Sequence, residues 1–185
     1  MKSKKEVAYL LIIVGLFIYI IFQKDGNTSV YPADLNLRLE SPVNFYVPRT
    51  DSLVSMQDVT ASSEYTLLIY LTARDCFSCL QEFKIWNRLT QEYPVEKLQI
   101  VGIYPAADET EVLSSAVVDS MRFQLYRDPG DIRPRLQIYQ TPSKVLFGPY
   151  GFVRFFDGPH QQRHYQKQVY TAISSIVGVP INKAF

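Results

Sequence analysis

The sequence predicts an α/β domain, with a central mixed β-sheet flanked by helices, preceded by one N-terminal transmembrane helix. Three patterns carry that expectation. Residues 7–22 (VAYLLIIVGLFIYIIF) run without a charge. Residues 65–72 (YTLLIYLT) and 98–104 (LQIVGIY) are near-continuous apolar runs with a stretch of helical periodicity between them, the signature of a βαβ unit. Residues 143–147 and 152–156 flank the turn Gly148-Pro149-Tyr150-Gly151, which reads as a β-hairpin.

A chain of 185 residues is long enough for one well-buried domain and too short for two. Nineteen basic residues oppose eighteen acidic ones, and no basic stripe is visible, so nucleic-acid binding by a charged face has no support. Two cysteines do not make a disulfide-rich scaffold.

The elements follow in order. As a helix, residues 7–22 span ~24 Å at ~1.5 Å per residue, against a hydrocarbon core of ~30 Å. Tyr9 and Tyr19 suit the interfaces, and Lys5 and Lys24 can snorkel. A cleaved signal peptide competes with this reading, but Phe22-Gln23-Lys24-Asp25-Gly26 lacks the small residues that cleavage needs. Lys2, Lys4 and Lys5 place residues 1–6 in the cytoplasm. Residues 23–34 then read as a linker and residues 35–185 as a domain in the periplasm or other extracytoplasmic space, where disulfides persist. The alternation at 35–39 and the extended run at 43–47 predict an opening hairpin. The 65–72 run predicts a strand buried on both faces. A helix is expected from Cys76 to Tyr93-Pro94 with Asp75 at its cap, then the 98–104 strand, and then a helix opening at Asp108. A short strand at 123–126, a brief helix at 133–139, the hairpin, and an amphipathic helix marked by Tyr165, Val169, Ile173 and Ile176 complete the chain.

Cys76-Phe77-Ser78-Cys79 carries the chemistry. On a first helical turn the two thiols share a face, and at the C-terminal end of a strand they stand where open α/β sheets bind their ligands. A helix start favours thiolate over thiol. Cys76, nearer that end, is the nucleophile, and Cys79 resolves the mixed disulfide. Arg74 assists the thiolate if it points inward, and Asp75 opposes it unless its carboxylate is tied up. Two other readings stay open. A structural zinc site can be written with His160 and His164, although their spacing from Cys79 is far from that of a compact finger. A structural disulfide is also possible, although so small a loop removes little chain entropy.

The segment LLIYLTARDCFSCLQEF (67–83) resembles the active-site strand and helix of thioredoxin-like proteins. It is most similar to the membrane-anchored TlpA/ResA-like thiol–disulfide oxidoreductases of the redoxin branch. The resemblance implies the thioredoxin-like fold and catalysis by Cys76 and Cys79. It makes Glu82, three residues after Cys79, an acid–base partner, and helical spacing also sets Glu82 one turn from Cys79. It implies a cis-proline at Pro142, with Thr141 and Pro142 on the substrate side, and Phe77 between the cysteines as a further substrate contact. This sequence departs from that pattern in having Asp75 in place of the usual Trp and Tyr70 in place of the acid six residues before the first cysteine.

The function expected is therefore a membrane-anchored extracytoplasmic thiol–disulfide oxidoreductase. Its partners are protein substrates with thiols or disulfides and a redox partner that donates or accepts electrons. No cofactor and no metal are expected, because the dithiol carries the electrons itself. The alternative is a non-enzymatic tethered binding module with a structural disulfide. A peroxidase-type redoxin is disfavoured, because residues 71–79 contain Thr72 but lack the Pro of a Pro/Thr/Cys loop.

Overall fold

A computed structural model describes residues 31–32, 43–50, 52–75, 82–114, 116–159 and 163–178. The proposed anchor 7–22 lies outside them, as do Cys76, Phe77, Cys79 and His160. Among the described residues no helix is long and apolar enough to cross a membrane. The fold below is that of the unit Tyr31–Phe185.

The chain runs β1 (Tyr31–Pro32), β2 (Asn44–Tyr46), β3 (Leu53–Ser55), α1 (Met56–Ala61), β4 (Tyr65–Tyr70), α2 (Phe83–Glu92) and β5 (Leu98–Pro105). A 3-10 turn, Ala106–Asp108, leads to α3 (Glu109–Ser114), α4 (Ala116–Ser120), β6 (Gln124–Asp128) and α5 (Ile132–Arg135). Then come β7 (Ser143–Phe147), a second 3-10 turn at Pro149–Gly151, β8 (Val153–Asp157) and α6 (Arg163–Val177). All eight strands form one sheet in the order β1-β8-β7-β4-β5-β6-β2-β3. β4, β5 and β6 are parallel, and β7, β8 and β1 add antiparallel strands at one side. This is the mixed sheet expected from the βαβ pattern and the closing hairpin.

β4 lies near the middle, between β5 and β7, and residues 66–70 are all buried, as a strand covered on both faces must be. One face carries Leu68, Tyr70, Val101, Ile103, Tyr126, Val145 and Phe147. It packs on Met56 and Val59 of α1 and on Ile132 and Leu136 at α5. The alternate residues (Leu67, Ile69, Ile100, Leu146 and Phe155) turn the other way. α2 covers that face with Phe83, Trp86 and Leu89, and α6 with Val169, Ile173 and Val177, all buried. The two helices are linked by Tyr93 Oη donating to Ser174 Oγ at 3.0 Å and Tyr170 Oη donating to Glu92 Oε2 at 2.9 Å. Burial and that bond push the Tyr170 hydroxyl pKa up to about 12.

Gly102 lies beside Leu125 where β5 pairs with β6. A Cβ there would lie 2.3 Å from Leu125 Cδ2 and 3.1 Å from Phe123 Cε2. Gly102→Ala is therefore expected to cost about 1–3 kcal/mol through overpacking, measured as a lower urea midpoint at unchanged slope.

The structure corrects the opening of the domain. Within 43–47 a strand forms at Asn44–Tyr46, but its hairpin partner is Leu53–Ser55, with Phe45 opposite Val54. The expected partner, 35–39, lies outside the described residues. α1 was not expected. Its signal is Ser55-Met56-Gln57-Asp58, a serine N-cap in which Asp58 N–H donates to Ser55 Oγ at 3.0 Å and Ser55 Oγ donates to Asp58 Oδ2 at 2.6 Å. Tyr31–Pro32, inside the stretch read as linker, pairs with Phe156 and Phe155 of β8. The helix expected at 133–139 is the single turn Ile132–Arg135.

Candidate active site

The C-terminal ends of β4 and β5 and the start of β7 meet at one edge of the sheet. Leu71 N–H still pairs with Ile103 O at 2.9 Å, and the chain then turns through residues 72–75. Asp75 closes that turn: its Oδ2 accepts from Thr72 N–H at 2.9 Å, and its Oδ1 accepts from Thr72 Oγ1 at 3.0 Å. The same Oδ1 accepts from Thr141 Oγ1 at 2.5 Å, and the two threonine hydroxyls lie 3.2 Å apart. Ala73 N–H donates to Asp108 Oδ2 at 3.0 Å, which brings in the loop after β5. Three loops are thus joined by short side-chain bonds. Arg74 is exposed.

The Thr141–Pro142 peptide bond is cis, the geometry expected there. Pro142 is buried, and Ser143 Oγ donates to Gln140 O, fixing the turn into β7.

The described chain resumes at Glu82, which has helical dihedrals of φ −61° and ψ −28°. Its carbonyl accepts from the amides of Ile85 and Trp86 at 2.9 and 3.2 Å. The Glu82 side chain is buried under α2. Lys144, 0% exposed, sets its Nζ 3.0 Å from Glu82 Oε2 and 3.3 Å from Asp157 Oδ2. The same ammonium donates to Gly158 O. Register explains the meeting: Lys144 lies opposite Asp157 across β7–β8 and opposite Ile69 across β4–β7. All three side chains therefore project from one face of the sheet, the face that α2 covers. A buried cation between two carboxylates is a costly arrangement that persists only when its members satisfy one another.

The hairpin expected from the sequence has strands at 143–147 and 152–156 and stops one residue short of Asp157, so the pattern itself does not pair Lys144 with it. The available signal was the charge itself. A Lys inside an apolar strand with neighbours on both sides needs a buried partner.

Tyr70, six residues before Cys76, faces away from Glu82. Its hydroxyl donates to Asp128 Oδ2 at 2.8 Å in the opposite core. Burial first, and then that bond, drive its pKa well above the ordinary phenol value. Tyr70 thus stays a proton donor, committed to Asp128. Asp128 also accepts from Gly130 N–H at 2.8 Å and Ile132 N–H at 3.3 Å, so residues 128–131 form a turn leading into α5.

A cleft of about 500 Å³ lies near the same edge, lined by Tyr46, Leu53, Ala106, Arg127 and Pro129. Its guanidinium is committed to Glu109 Oε2 at 3.0 Å and Thr50 O at 3.2 Å, and stacks 4.7 Å from the Tyr46 ring. The Arg49 amide and the Arg127 guanidinium hold the Glu109 carboxyl below its ordinary pKa. This cleft is braced by its own residues.

Of the sequence-derived site residues, the structure thus places Glu82, Thr141 and Pro142, while Cys76, Phe77 and Cys79 lie outside the described set. The zinc alternative needs Cys76, Cys79 and His160, which lie there too. Among the described residues no three His, Cys, Asp or Glu side chains group as metal ligands.

No protein-family model matches the sequence, and no curated protein matches it. Solved structures do. A Chlorobium tepidum protein described as a thiol:disulfide interchange protein DsbE is 17% identical with a TM-score of 0.60, covering 73% of this chain and 94% of its own. The thioredoxin domain of a Bacteroides vulgatus thiol-disulfide oxidoreductase is 14% identical at 0.61, covering 77% and 97%. A secreted Mycobacterium tuberculosis disulfide oxidoreductase homologous to E. coli DsbE is 17% identical at 0.57, covering 77% and 99%. At such identities the likeness is one of architecture: the unit from Tyr31 onward has the thioredoxin-like α/β fold.

Proposed function

We propose that this protein is a membrane-anchored extracytoplasmic thiol–disulfide oxidoreductase that exchanges disulfides with protein substrates through Cys76 and Cys79. One observation carries the reading. Both described flanks of the C-x-x-C segment are fastened to the cis-proline segment, Asp75 to Thr141 and Glu82 to Lys144. Chain connectivity then limits how far either cysteine can stray from Thr141 and Pro142, since consecutive Cα atoms are only ~3.8 Å apart. The solved structures of like fold are described as thiol–disulfide oxidoreductases, which supports bringing that activity to this chain.

The cycle balances without a cofactor. The Cys76 thiolate attacks one sulfur of a substrate disulfide. That S–S bond breaks, the departing substrate sulfur takes a proton, and a mixed disulfide forms. Glu82, as carboxylate, takes the proton of Cys79. The Cys79 thiolate attacks Cys76 Sγ, closing the Cys76–Cys79 disulfide, and the second substrate sulfur leaves as a thiol with the proton that Glu82 held, which returns Glu82 to carboxylate. Two electrons and two protons leave the dithiol for the substrate, and a dithiol redox partner restores it. Run backwards, the same steps oxidise a substrate. Thr141 presents main-chain groups to an extended substrate strand, because Pro142 has no N–H of its own. Residues 7–22 hold the domain at the membrane, with residues 1–6 on the cytoplasmic side.

Cys79→Ser is expected to arrest the cycle at the mixed disulfide. Non-reducing electrophoresis of cells carrying that variant should show adducts with envelope proteins that vanish on adding dithiothreitol. Loss of the adducts in a Cys76→Ser/Cys79→Ser double variant completes the test, and a Cys79→Ser variant without adducts counts against the reading.

A further inference from the structure

We propose that Tyr139 is a substrate-docking residue whose ring receives an aromatic or other large apolar side chain of the polypeptide segment that pairs with Thr141. The inference rests on the oxidoreductase reading above and adds to it the class of side chain that a preferred substrate carries beside that pairing.

Tyr139 is 81% exposed and stands three residues before the cis-proline. The backbone on either side of it is pinned. Before it, Ile138 is buried in the core, its N–H donates to Arg133 O at 2.9 Å, and its carbonyl accepts from Arg133 Nε at 3.1 Å. After it, Gln140 O accepts from Ser143 Oγ, and Thr141 Oγ1 donates to Asp75 Oδ1 at 2.5 Å. Gln137, two residues earlier, has φ 52°, a left-handed conformation that a residue with a Cβ adopts only at a cost. A strained and fastened backbone thus carries a large ring into water. Single exposed apolar residues are ordinary, and Tyr150, 86% exposed in the hairpin turn at the other end of β7, is one. Tyr139 differs in its place, on the segment that leads into Thr141 and Pro142.

Reach follows from chain geometry. The Cα atoms of Tyr139 and Thr141 are at most ~7.6 Å apart, two steps of ~3.8 Å. A paired strand runs ~4.8 Å from its neighbour and advances ~3.3 Å per residue. A substrate strand laid along residues 139–141 therefore brings the residue two places from the partner of Thr141 level with Tyr139. The ring has two side-chain torsions to order on a backbone already fixed, so covering it costs little entropy. Aromatic and β-branched partners gain most from such a neighbour, and a small polar side chain leaves the ring wet. The preference is for what lies beside the exchanging disulfide, and the chemistry at sulfur is untouched by it.

The test uses purified full-length protein and short disulfide-bonded peptides in which one Phe is walked through the positions flanking a cysteine, with Ser at the others. Pre-reduced protein is mixed with excess peptide, and its oxidation is followed by alkylation and mass. The half-saturating peptide concentration reads docking, and the limiting rate reads exchange. At one position Phe is expected to lower the half-saturating concentration about tenfold against the all-Ser peptide, the usual scale for one well-placed interface tyrosine. Tyr139→Ala should lose that preference with its limiting rate within twofold of the parent, and Tyr139→Phe should keep it. The proposal is overturned if the parent shows no preferred position, if Tyr139→Ala retains the preference, or if Tyr139→Ala lowers the limiting rate alike for every peptide, which would assign the effect to loop packing. A second arm omits exchange: peptides with Ser in place of Cys are titrated into Cys76→Ser/Cys79→Ser protein by fluorescence anisotropy, with and without Tyr139→Ala. The same preference and the same loss are expected there. If the parent exchanges with none of the peptides, the oxidoreductase reading falls, and the anisotropy arm by itself decides the role of Tyr139.

Discussion

Replacing Lys144 with Met is expected to destabilise the domain by about 3–5 kcal/mol, a large share of the ~5–15 kcal/mol that holds a typical domain together. The reason is the company Lys144 keeps. Its ammonium is 0% exposed and stands 3.0 Å from Glu82 and 3.3 Å from Asp157. Removing it leaves two carboxylates facing each other in the interior, where each pays for lost hydration. Removing all three charges together is a different experiment. A Glu82→Gln/Lys144→Met/Asp157→Asn variant should recover most of the loss, because the group gains little net stability over neutral side chains of similar size. Urea unfolding of the single and triple variants measures the difference. A Lys144→Met variant within 1 kcal/mol of the parent would show that the triad is not held as described.

Glu82→Gln is expected to slow the second chemical step roughly a hundredfold or more, within the usual range of ~10²–10⁴ for a lost acid–base group. The first step should be nearly unchanged, because it does not use the Cys79 proton that Glu82 takes. Rapid-quench capture of the mixed disulfide separates the two: the variant should accumulate it, and the parent should not. The pairing with Lys144 explains how a buried Glu serves. Lys144 Nζ, 3.0 Å from Glu82 Oε2, is the counter-charge that lets a carboxylate be buried there. Equal rates of mixed-disulfide decay in parent and variant would remove Glu82 from the mechanism and leave it a structural partner of Lys144.

The interior strands were legible because their burial is written as composition. Residues 65–70 and 98–105 are nearly apolar runs of strand length, 143–147 is marked by the turn that follows it, and all three lie inside the sheet. The cis-proline was legible through the resemblance, which expects one directly before the strand at 143–147, and the Thr141–Pro142 bond is cis. The sheet's far edge was not. β3 has three residues with Leu53 58% exposed, so no alternation marks it, and its pairing with β2 depends on where the rest of the sheet puts that edge. The triad was hidden for a related reason. Lys144, Glu82 and Asp157 are far apart in sequence, and only register across β7–β8 and the seating of α2 bring them together. Asp75 was visible as a charge beside Cys76, but its partner Thr141 lies 66 residues away. Long-range side-chain pairs are settled by packing, which a local pattern does not encode.

The most direct measurement is an equilibrium redox titration of the full-length protein against glutathione, with thiols counted by mass after alkylation. Cys76 and Cys79 are expected to convert together between dithiol and disulfide in one two-electron transition, which a Cys76→Ser variant abolishes. Two thiols that stay reduced across the whole range, or that oxidise only between molecules, would contradict it.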